Sequence, residues 1–207
     1  MDGYFCEREI VYRGPHQMKL FFYLLFRNTR SMFSFSHADI DFGTVADIAA
    51  INNLLNQAYR GEESRKGWTT EADLITGDTR TNKAMLKQVM EQSGSVFLIY
   101  KDAEQKIIGC VNLQQHDHKL YLGMFSVLPS MQGGGIGKKI LQAAEEYARH
   151  LQKKAIYMSV ISLRTEIINW YMRHGYADTG ERKPFVEDGI TGKHLKPLEF
   201  MMLEKIL

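Results

Sequence analysis

Apolar residues recur along this chain with two periodicities, that of a helix and that of a strand. Over residues 45–58 and 136–151 they fall three and four positions apart, so each segment predicts an amphipathic helix. Thr44 and Asp47 have the spacing of a capping pair at the start of the first helix. Three further helices are predicted, over residues 83–91, over residues 165–174 after a cap at Ser162, and from near Thr70.

Strand patterns cluster in the middle of the chain. Residues 96–100, 107–113 and 120–127 are rich in β-branched and aromatic side chains and are separated by short polar turns. Three strands joined in this way are expected to be antiparallel neighbours. A fourth strand, residues 155–160, follows the helix at 136–151. A strand–helix–strand unit of this size predicts that its two strands are parallel and adjacent.

One domain of mixed α/β class accounts for this pattern, because no repeat, linker or second core separates the elements. We expect it to span residues 37–207, with a poorly patterned first strand within residues 33–42 and two strands in the tail. Residues 1–36 are predicted to be an extension that is disordered or not native, since Met32 is placed to begin a complete domain. The apolar run at residues 18–26 is far short of the ~20 residues that span a bilayer. A short membrane-associating or partner-binding helix is the alternative interpretation.

Charge and cysteine content limit the partners and the cellular compartment that are expected. The 26 basic and 24 acidic residues leave a formal net charge of +2, and the basic residues are spread along the chain. This distribution gives no argument for nucleic acid or an anionic membrane as a partner. With only Cys6 and Cys110, no disulfide framework is implied and a reducing cytoplasm is expected. His116 and His118 share one hairpin turn without a further Cys or His cluster, so no metal is expected.

The stretch with the clearest chemistry is a glycine run between a strand and a helix. Residues 122–137 read LGMFSVLPSMQGGGIG, so a strand stops near Pro129 and Gly133, Gly134 and Gly135 precede the helix. Glycines let a backbone approach a ligand closely, and the unpaired N–H groups of a helix start favour anions. The segment therefore predicts a phosphate-binding loop. The simpler alternative is a tight turn that packs a strand on a helix.

Two common phosphate-loop motifs do not fit this run. Gln132 and Lys139 stand where a Walker loop needs Gly and Ser or Thr, and Lys138 stands where a dinucleotide fingerprint needs its last Gly. The sequence QGGGIG at residues 132–137 instead resembles the Gln/Arg-x-x-Gly-x-Gly/Ala signature of the GNAT superfamily of acyl-CoA N-acyltransferases. The resemblance covers essentially the whole domain. It implies a mixed, largely antiparallel sheet with a parallel, splayed central strand pair and flanking helices.

The resemblance also implies acetyl-CoA as co-substrate, bound by main-chain groups. By position, the N–H of Phe125 would polarise the thioester carbonyl and that of Val127 would bind the pantetheine arm, at a local gap between two strands. The pyrophosphate would be held by the amides of one continuous segment: Gln132, Gly133, Gly134, Gly135, Ile136, Gly137 and Lys138.

A second motif, NWYMRHGY at residues 169–176, resembles the helix end LY-x-x-x-GF/Y of the same family. The resemblance implies that Tyr171 protonates the departing CoA thiolate, a role that suits a phenol because its pKa lies above that of a thiol. The alternative is that Tyr171 only packs the helix on the sheet. Arg164 departs from the Asn that many members carry at that point.

Neither of the two motifs contains a residue that could act as the general base. Residues 119–127, where many relatives place a base, contain no carboxylate or imidazole, so the base comes from elsewhere, acts through water or is unnecessary. Trp68, Thr69 and Glu71 occupy the region that shapes the acceptor site in the family, where Trp68 offers an aromatic wall and Glu71 a carboxylate for the amine. Alternatively, Glu71 only occupies the first turn of a helix. Glu166 is a further candidate from the opposite side.

These observations predict a cytoplasmic N-acetyltransferase that transfers the acetyl group of acetyl-CoA to a primary amine by direct attack in a ternary complex. The alternative is a non-catalytic acyl-CoA-binding or regulatory module that kept the loop and lost the base. The acceptor is expected to be a small molecule or a peptide, with no nucleic acid, membrane or metal involved. The protein is expected to be a monomer or a homodimer.

Overall fold

The computed structural model describes residues 33–207, which contain seven strands of one mixed sheet. The strands are β1 (Ile40–Gly43), β2 (Ser95–Lys101), β3 (Ile107–His116), β4 (Lys119–Val127), β5 (Ala155–Ile161), β6 (Ala177–Pro184) and β7 (Glu199–Ile206). Their order across the sheet is β1-β2-β3-β4-β5-β7-β6, and every neighbouring pair is antiparallel except β4 and β5. The predicted mixed α/β class and the parallel central pair are confirmed. The extension predicted for residues 1–36 lies outside the described residues, apart from residues 33–36.

Helices connect the strands. Within residues 33–207 they are α1 (Ile48–Tyr59), α2 (Gly61–Ser64), α3 (Lys83–Glu91), α4 (Ile136–His150) and α5 (Thr165–Arg173). Thr44 and Asp47 form the predicted capping box, which opens a 3₁₀ turn that continues into α1. Among the described residues, no helix combines the length and apolar character needed to cross a bilayer.

Two local predictions are wrong, and in both cases a long-range strand contact overrides the local signal. The helix expected from Thr70 is limited to a turn, because Ile75 forms an antiparallel bridge with His194. Ser162 does not cap α5, since its N–H donates to the Glu199 carbonyl at 2.9 Å and Arg164 precedes the helix instead. The first strand also begins only at Ile40, and α2 was not predicted.

Helices cover both faces of the sheet, as the alternating side chains of β2 show. Phe97 and Ile99 of β2 lie in a buried cluster with Ile51 of α1. Tyr100, the next residue of β2, accepts a hydrogen bond from Lys139 of α4 at 3.1 Å. Because successive side chains of a strand point to opposite faces, α1 and α4 cover opposite faces.

The two parallel strands pair over a short length before they diverge. β4 and β5 are in register only over Lys119–Tyr121 of β4, whereas β4 remains paired with β3 as far as Val127. One edge of β4 beyond Tyr121 therefore faces a gap, and its main-chain groups need partners other than a strand. The gap therefore lies along β4, the strand that leads to the glycine run.

The loop between β6 and β7 packs back on the segment that precedes α3. Ile75 forms the bridge with His194, and the N–H of Thr76 donates to the carbonyl of Lys193 at 2.9 Å. Gly192 lies against this contact with a φ of 102°, and a Cβ there would be 1.9 Å from the carbonyl oxygen of Thr76. Only glycine fits this position without moving one of the two backbones.

We expect Gly192→Ala to lower the free energy of unfolding by about 3 kcal/mol or more, because backbone strain and overlap with Thr76 must both be relieved. Gly189→Ala is the matched control, since Gly189 has a φ of 72° but nothing within 4 Å of its Cβ position. Strain alone is expected to cost the control about 1–2 kcal/mol. Chemical denaturation measures both losses, and equal losses would contradict the tight backbone contact.

Candidate active site

A cleft of about 820 Å³ opens where β4 and β5 diverge, large enough for a sizeable small-molecule ligand. Its walls come from α1, β4, β5, α5, the glycine run and the segment that carries Trp68. Apart from Gly134, every site residue predicted from the sequence lines this cleft: Trp68, Thr69, Glu71, Phe125, Val127, Gln132, Gly133, Gly135, Ile136, Gly137, Lys138 and Tyr171. In the described part of the chain, no three His, Cys, Asp or Glu side chains converge as metal ligands would.

A bulge in β4 lies at the mouth of the gap. Ser126 pairs with Cys110 and Gly123 pairs with Asn112, so β4 has one more residue than β3 between these pairs. Met124, inside the bulge, has a φ of 47°, in the left-handed region that a methionine rarely adopts. Because a bulge bends the strand that contains it, β4 changes direction directly before its last residues.

The last residues of β4 present main-chain groups to the cleft. The N–H of Leu128 donates to the Ile108 carbonyl of β3 at 2.8 Å, so the neighbouring Val127 directs its N–H and C=O away from β3. Phe125, two residues earlier, faces the same way, and its carbonyl accepts a hydrogen bond from the Tyr59 hydroxyl at 2.6 Å. The N–H groups of Phe125 and Val127 therefore lie on the open edge of the strand.

The glycine run forms a left-handed turn that begins α4. Gly133 and Gly135 have φ values of 86° and 82°, and nothing lies within 4 Å of a Cβ placed on either residue. The first helical hydrogen bond runs from the N–H of Lys139 to the carbonyl of Gly135 at 3.1 Å. The amides of residues 136–138 therefore have no partner within the helix and lie at the positive end of its dipole. This arrangement suits a phosphate group.

The Gln132 side chain connects this turn with the segment before α3. Its amide nitrogen donates to the Val127 carbonyl at 2.9 Å and to the Thr69 hydroxyl at 2.8 Å. Its oxygen accepts the main-chain N–H of Trp68 at 2.9 Å, and a Cβ on Gly67 would lie only 2.6 Å from that oxygen. The sequence predicts a role only for the main chain of Gln132, and no local signal indicates the three contacts of its side chain.

Tyr171 is buried against the wall of the cleft. It is 6% exposed, and its ring centroid lies 6.3 Å from that of Phe125 and 5.1 Å from that of Trp170. Burial, together with the nearby Tyr59 phenol, raises the pKa of Tyr171 well above its usual value. The phenol therefore keeps its proton throughout the physiological pH range.

Glu71 lines the cleft as predicted, but two guanidinium groups hold its carboxylate. It forms an ion pair with the fully buried Arg60, and its second oxygen lies 3.8 Å from a guanidinium nitrogen of Arg164. Arg60 also donates to the carbonyl of Thr191 at 3.3 Å. Both of its oxygens are therefore engaged by buried cations. The geometry favours a positioning role for Glu71 over the predicted role as a base.

The remaining wall of the cleft is aromatic and basic. Trp68 is 43% exposed, and the centroid of its ring lies 6.2 Å from that of Trp170. Glu166 of α5 is the other carboxylate that lines the cleft, and it forms no ion pair with the described residues. Tyr121, at a position where many relatives place a base, also lines the cleft. Arg80 lines it too, and the sequence does not predict this because Arg80 belongs to no motif.

The fold and the cleft agree with the family comparison. The model of the Acetyltransferase (GNAT) family matches residues 48–176, more than half of the chain. The chain belongs to this family, and the resemblance stated from its glycine run and its tyrosine motif is confirmed. The family is one of acetyltransferases.

Solved structures with the same fold come from several bacteria. The protein smu.2055 from Streptococcus mutans UA159 has a TM-score of 0.62 and 17% identity, over 81% of this chain and 98% of that one. Ribosomal-protein-alanine N-acetyltransferase from Brucella melitensis has a TM-score of 0.61 and 20% identity, over 81% and 99%. These identities are low, so the likeness shows the fold alone.

One curated relative is similar in sequence. It is the uncharacterized protein F36G3.2 of Caenorhabditis elegans, 27% identical over 93 residues. The match covers 45% of this chain and 27% of that protein, so the chain corresponds to about a quarter of its relative's length. The relative therefore adds no assignment of substrate.

We expect Glu71→Gln to lower the free energy of unfolding by about 3–5 kcal/mol, because it leaves the buried Arg60 guanidinium without its counter-ion. Asp73→Asn is the matched control, since Asp73 pairs with Arg65 at 2.7 Å but both side chains are largely exposed. Its unfolding midpoint should remain close to that of the wild type. Denaturant titrations compare the two, and similar midpoints for both variants would contradict a stabilising buried pair.

Proposed function

We propose that residues 37–207 form a cytoplasmic N-acetyltransferase that transfers the acetyl group of acetyl-CoA to a primary amine by direct attack in a ternary complex. The observation that carries the proposal is the open edge of β4, where the main chain of Phe125 and Val127 faces the cleft just before the glycine turn. Membership of the acetyltransferase family supports the same chemistry. The acceptor is a small-molecule or peptide amine.

The groups around the cleft fit the anionic and thioester parts of acetyl-CoA. The space that side chains would fill at Gly133 and Gly135 is open, so a pyrophosphate can approach the amides of residues 133–138. The N–H of Gln132, which the sequence also assigned to the pyrophosphate, already donates to the Pro129 carbonyl at 3.3 Å. The N–H of Val127 would bind the pantetheine arm, and that of Phe125 would polarise the thioester carbonyl. Bound acetyl-CoA supplies the activated acetyl group.

Tyr171 is the proposed general acid. The amine nitrogen forms a bond to the acetyl carbon, the carbon–sulfur bond breaks, and the Tyr171 phenol gives its proton to the leaving sulfur. The proton that the amine loses would pass to water or to Glu166, since two guanidinium groups already hold Glu71. The N–H of Phe125 stabilises the negative charge that develops on the carbonyl oxygen.

A non-catalytic acyl-CoA-binding module is the second candidate. Two observations favour it: residues 119–127 contain no base, and the carboxylate of Glu71 is engaged in ion pairs. Such a module would bind acetyl-CoA but would release no CoA with any amine. Binding and turnover therefore have to be measured separately.

Gly135→Asp is expected to weaken acetyl-CoA binding by about 100-fold or more, because a carboxylate enters a turn that favours anions. Gly135→Asn introduces nearly the same shape without the charge and should weaken binding less. Gly180→Asp is the matched control, since Gly180 has a φ of 81° and open space around its Cβ position but lies outside the cleft. Calorimetric titration gives the three affinities, and folded wild-type protein that does not bind acetyl-CoA would overturn the proposal.

Tyr171→Phe is expected to lower kcat by about 100-fold while the affinity for acetyl-CoA stays unchanged, because only a proton donor is removed. Since burial raises the pKa of Tyr171, the acid form persists as the pH rises, and wild-type kcat should show no loss from this group up to about pH 10. Tyr176→Phe is the control, a buried tyrosine next to Tyr171 that does not line the cleft. Equal CoA release by wild type and Tyr171→Phe would contradict the assignment.

A further inference from the structure

Arg80 places a positive charge in the cleft that no described side chain balances. Its guanidinium lines the cleft and lies 5.6 Å from the centroid of the Tyr59 ring. None of the carboxylates in residues 33–207 forms an ion pair with it. The main-chain N–H groups of Arg80 and Thr81 both donate to the side chain of Asn56, at 2.6 and 3.0 Å. The backbone that carries this guanidinium is therefore anchored to α1.

Tyr59 connects Arg80 with the proposed reacting centre. Its ring lies beneath the guanidinium, and its hydroxyl donates to the carbonyl of Phe125 at 2.6 Å. Burial, with a contribution from Glu71, raises the pKa of Tyr59 to about 12, so the phenol is neutral at physiological pH. Tyr59 therefore does not act as the counter-ion of Arg80.

The buried carboxylate that lines the cleft is already paired. Glu71 shares its carboxylate between Arg60 and Arg164, which leaves this pair of guanidinium groups with one surplus positive charge. Arg80 adds a second positive charge to the same cleft. Glu166 lies on α5 and is exposed, so it neutralises this surplus poorly.

We propose that the acceptor of the acetyl group carries a carboxylate close to its amine, as an α-amino acid does, and that Arg80 binds this carboxylate. The inference rests on the proposed acetyltransferase function. The planar guanidinium matches the two oxygens of a carboxylate, and its position over Tyr59 leaves the amine beside the edge of β4 at Phe125. A purely cationic polyamine would meet a wall with surplus positive charge.

Matched acceptors isolate the contribution of the carboxylate. A panel of α-amino acids and their α-amides exchanges the carboxylate for a neutral group of similar shape, and CoA release is measured for each pair. In wild-type protein, the acid is expected to have a kcat/KM at least about tenfold higher than the amide. Arg80→Gln should abolish this preference mainly through KM, and Arg80→Lys should restore part of it. Arg65→Gln, an exposed arginine outside the cleft, should keep the preference.

A binding measurement without turnover separates the two proposals. N-acetylated amino acids and their amides are titrated by calorimetry against protein saturated with CoA, for wild type and Arg80→Gln. Tighter binding of the acids to wild type, lost in Arg80→Gln, supports the inference. Equal binding of acids and amides, or no binding of any acid, overturns the inference about Arg80. If the same protein still binds acetyl-CoA, the acetyltransferase proposal is not affected by that result. Failure of folded wild type to bind acetyl-CoA overturns the proposed function itself, and the inference with it.

Discussion

The divergence of β4 from β5 is the constraint on which the candidate site depends. A strand inside a sheet satisfies its main-chain groups on both edges, whereas β4 beyond Tyr121 has a strand partner on one edge only. Side chains from elsewhere satisfy two of its exposed carbonyls: the Tyr59 hydroxyl bonds to Phe125 and the Gln132 amide bonds to Val127. The N–H groups of the same two residues lie on the open edge of the strand, where the proposed function places acetyl-CoA. The gap is thus stabilised from outside the sheet by side chains that bond to its carbonyls.

Elements with a clear period or a local motif could be predicted from the sequence. The bounds of α3 and the capping box of Thr44 and Asp47 follow from apolar spacing and cap chemistry alone. The bulge at Met124 could not be predicted, because methionine has no preference for a positive φ. That conformation results from the register between β3 and β4, which is a property of the assembled sheet. For the same reason, pairing of Ile75 with His194 replaced the helix expected at Thr70.

The candidate site likewise contains residues that the sequence identifies and contacts that it does not. The glycine turn and Tyr171 belong to recognisable motifs, so the sequence identifies both as candidate site residues, and both line one cleft. The contacts of the Gln132 side chain with Trp68 and Thr69 join residues more than sixty positions apart, and a single sequence contains no signal for them. Glu71 is a second example, because its carboxylate predicts a base from the sequence whereas Arg60 and Arg164, which no local pattern relates to it, hold it in the structure.

The positive charge that Arg60 and Arg164 carry in excess of Glu71 bears on the missing base. An amine must lose its proton before it attacks, and nearby like charges disfavour the ammonium form, so they lower its pKa. A carboxylate-bearing acceptor paired with Arg80 would bring its amine to a wall that also contains Arg164. There the neutral amine would be more populated than in water, and water or the exposed Glu166 would suffice to accept the proton. The absence of a carboxylate in residues 119–127 is then compatible with catalysis, because electrostatics around the acceptor replaces part of the work of a strong base.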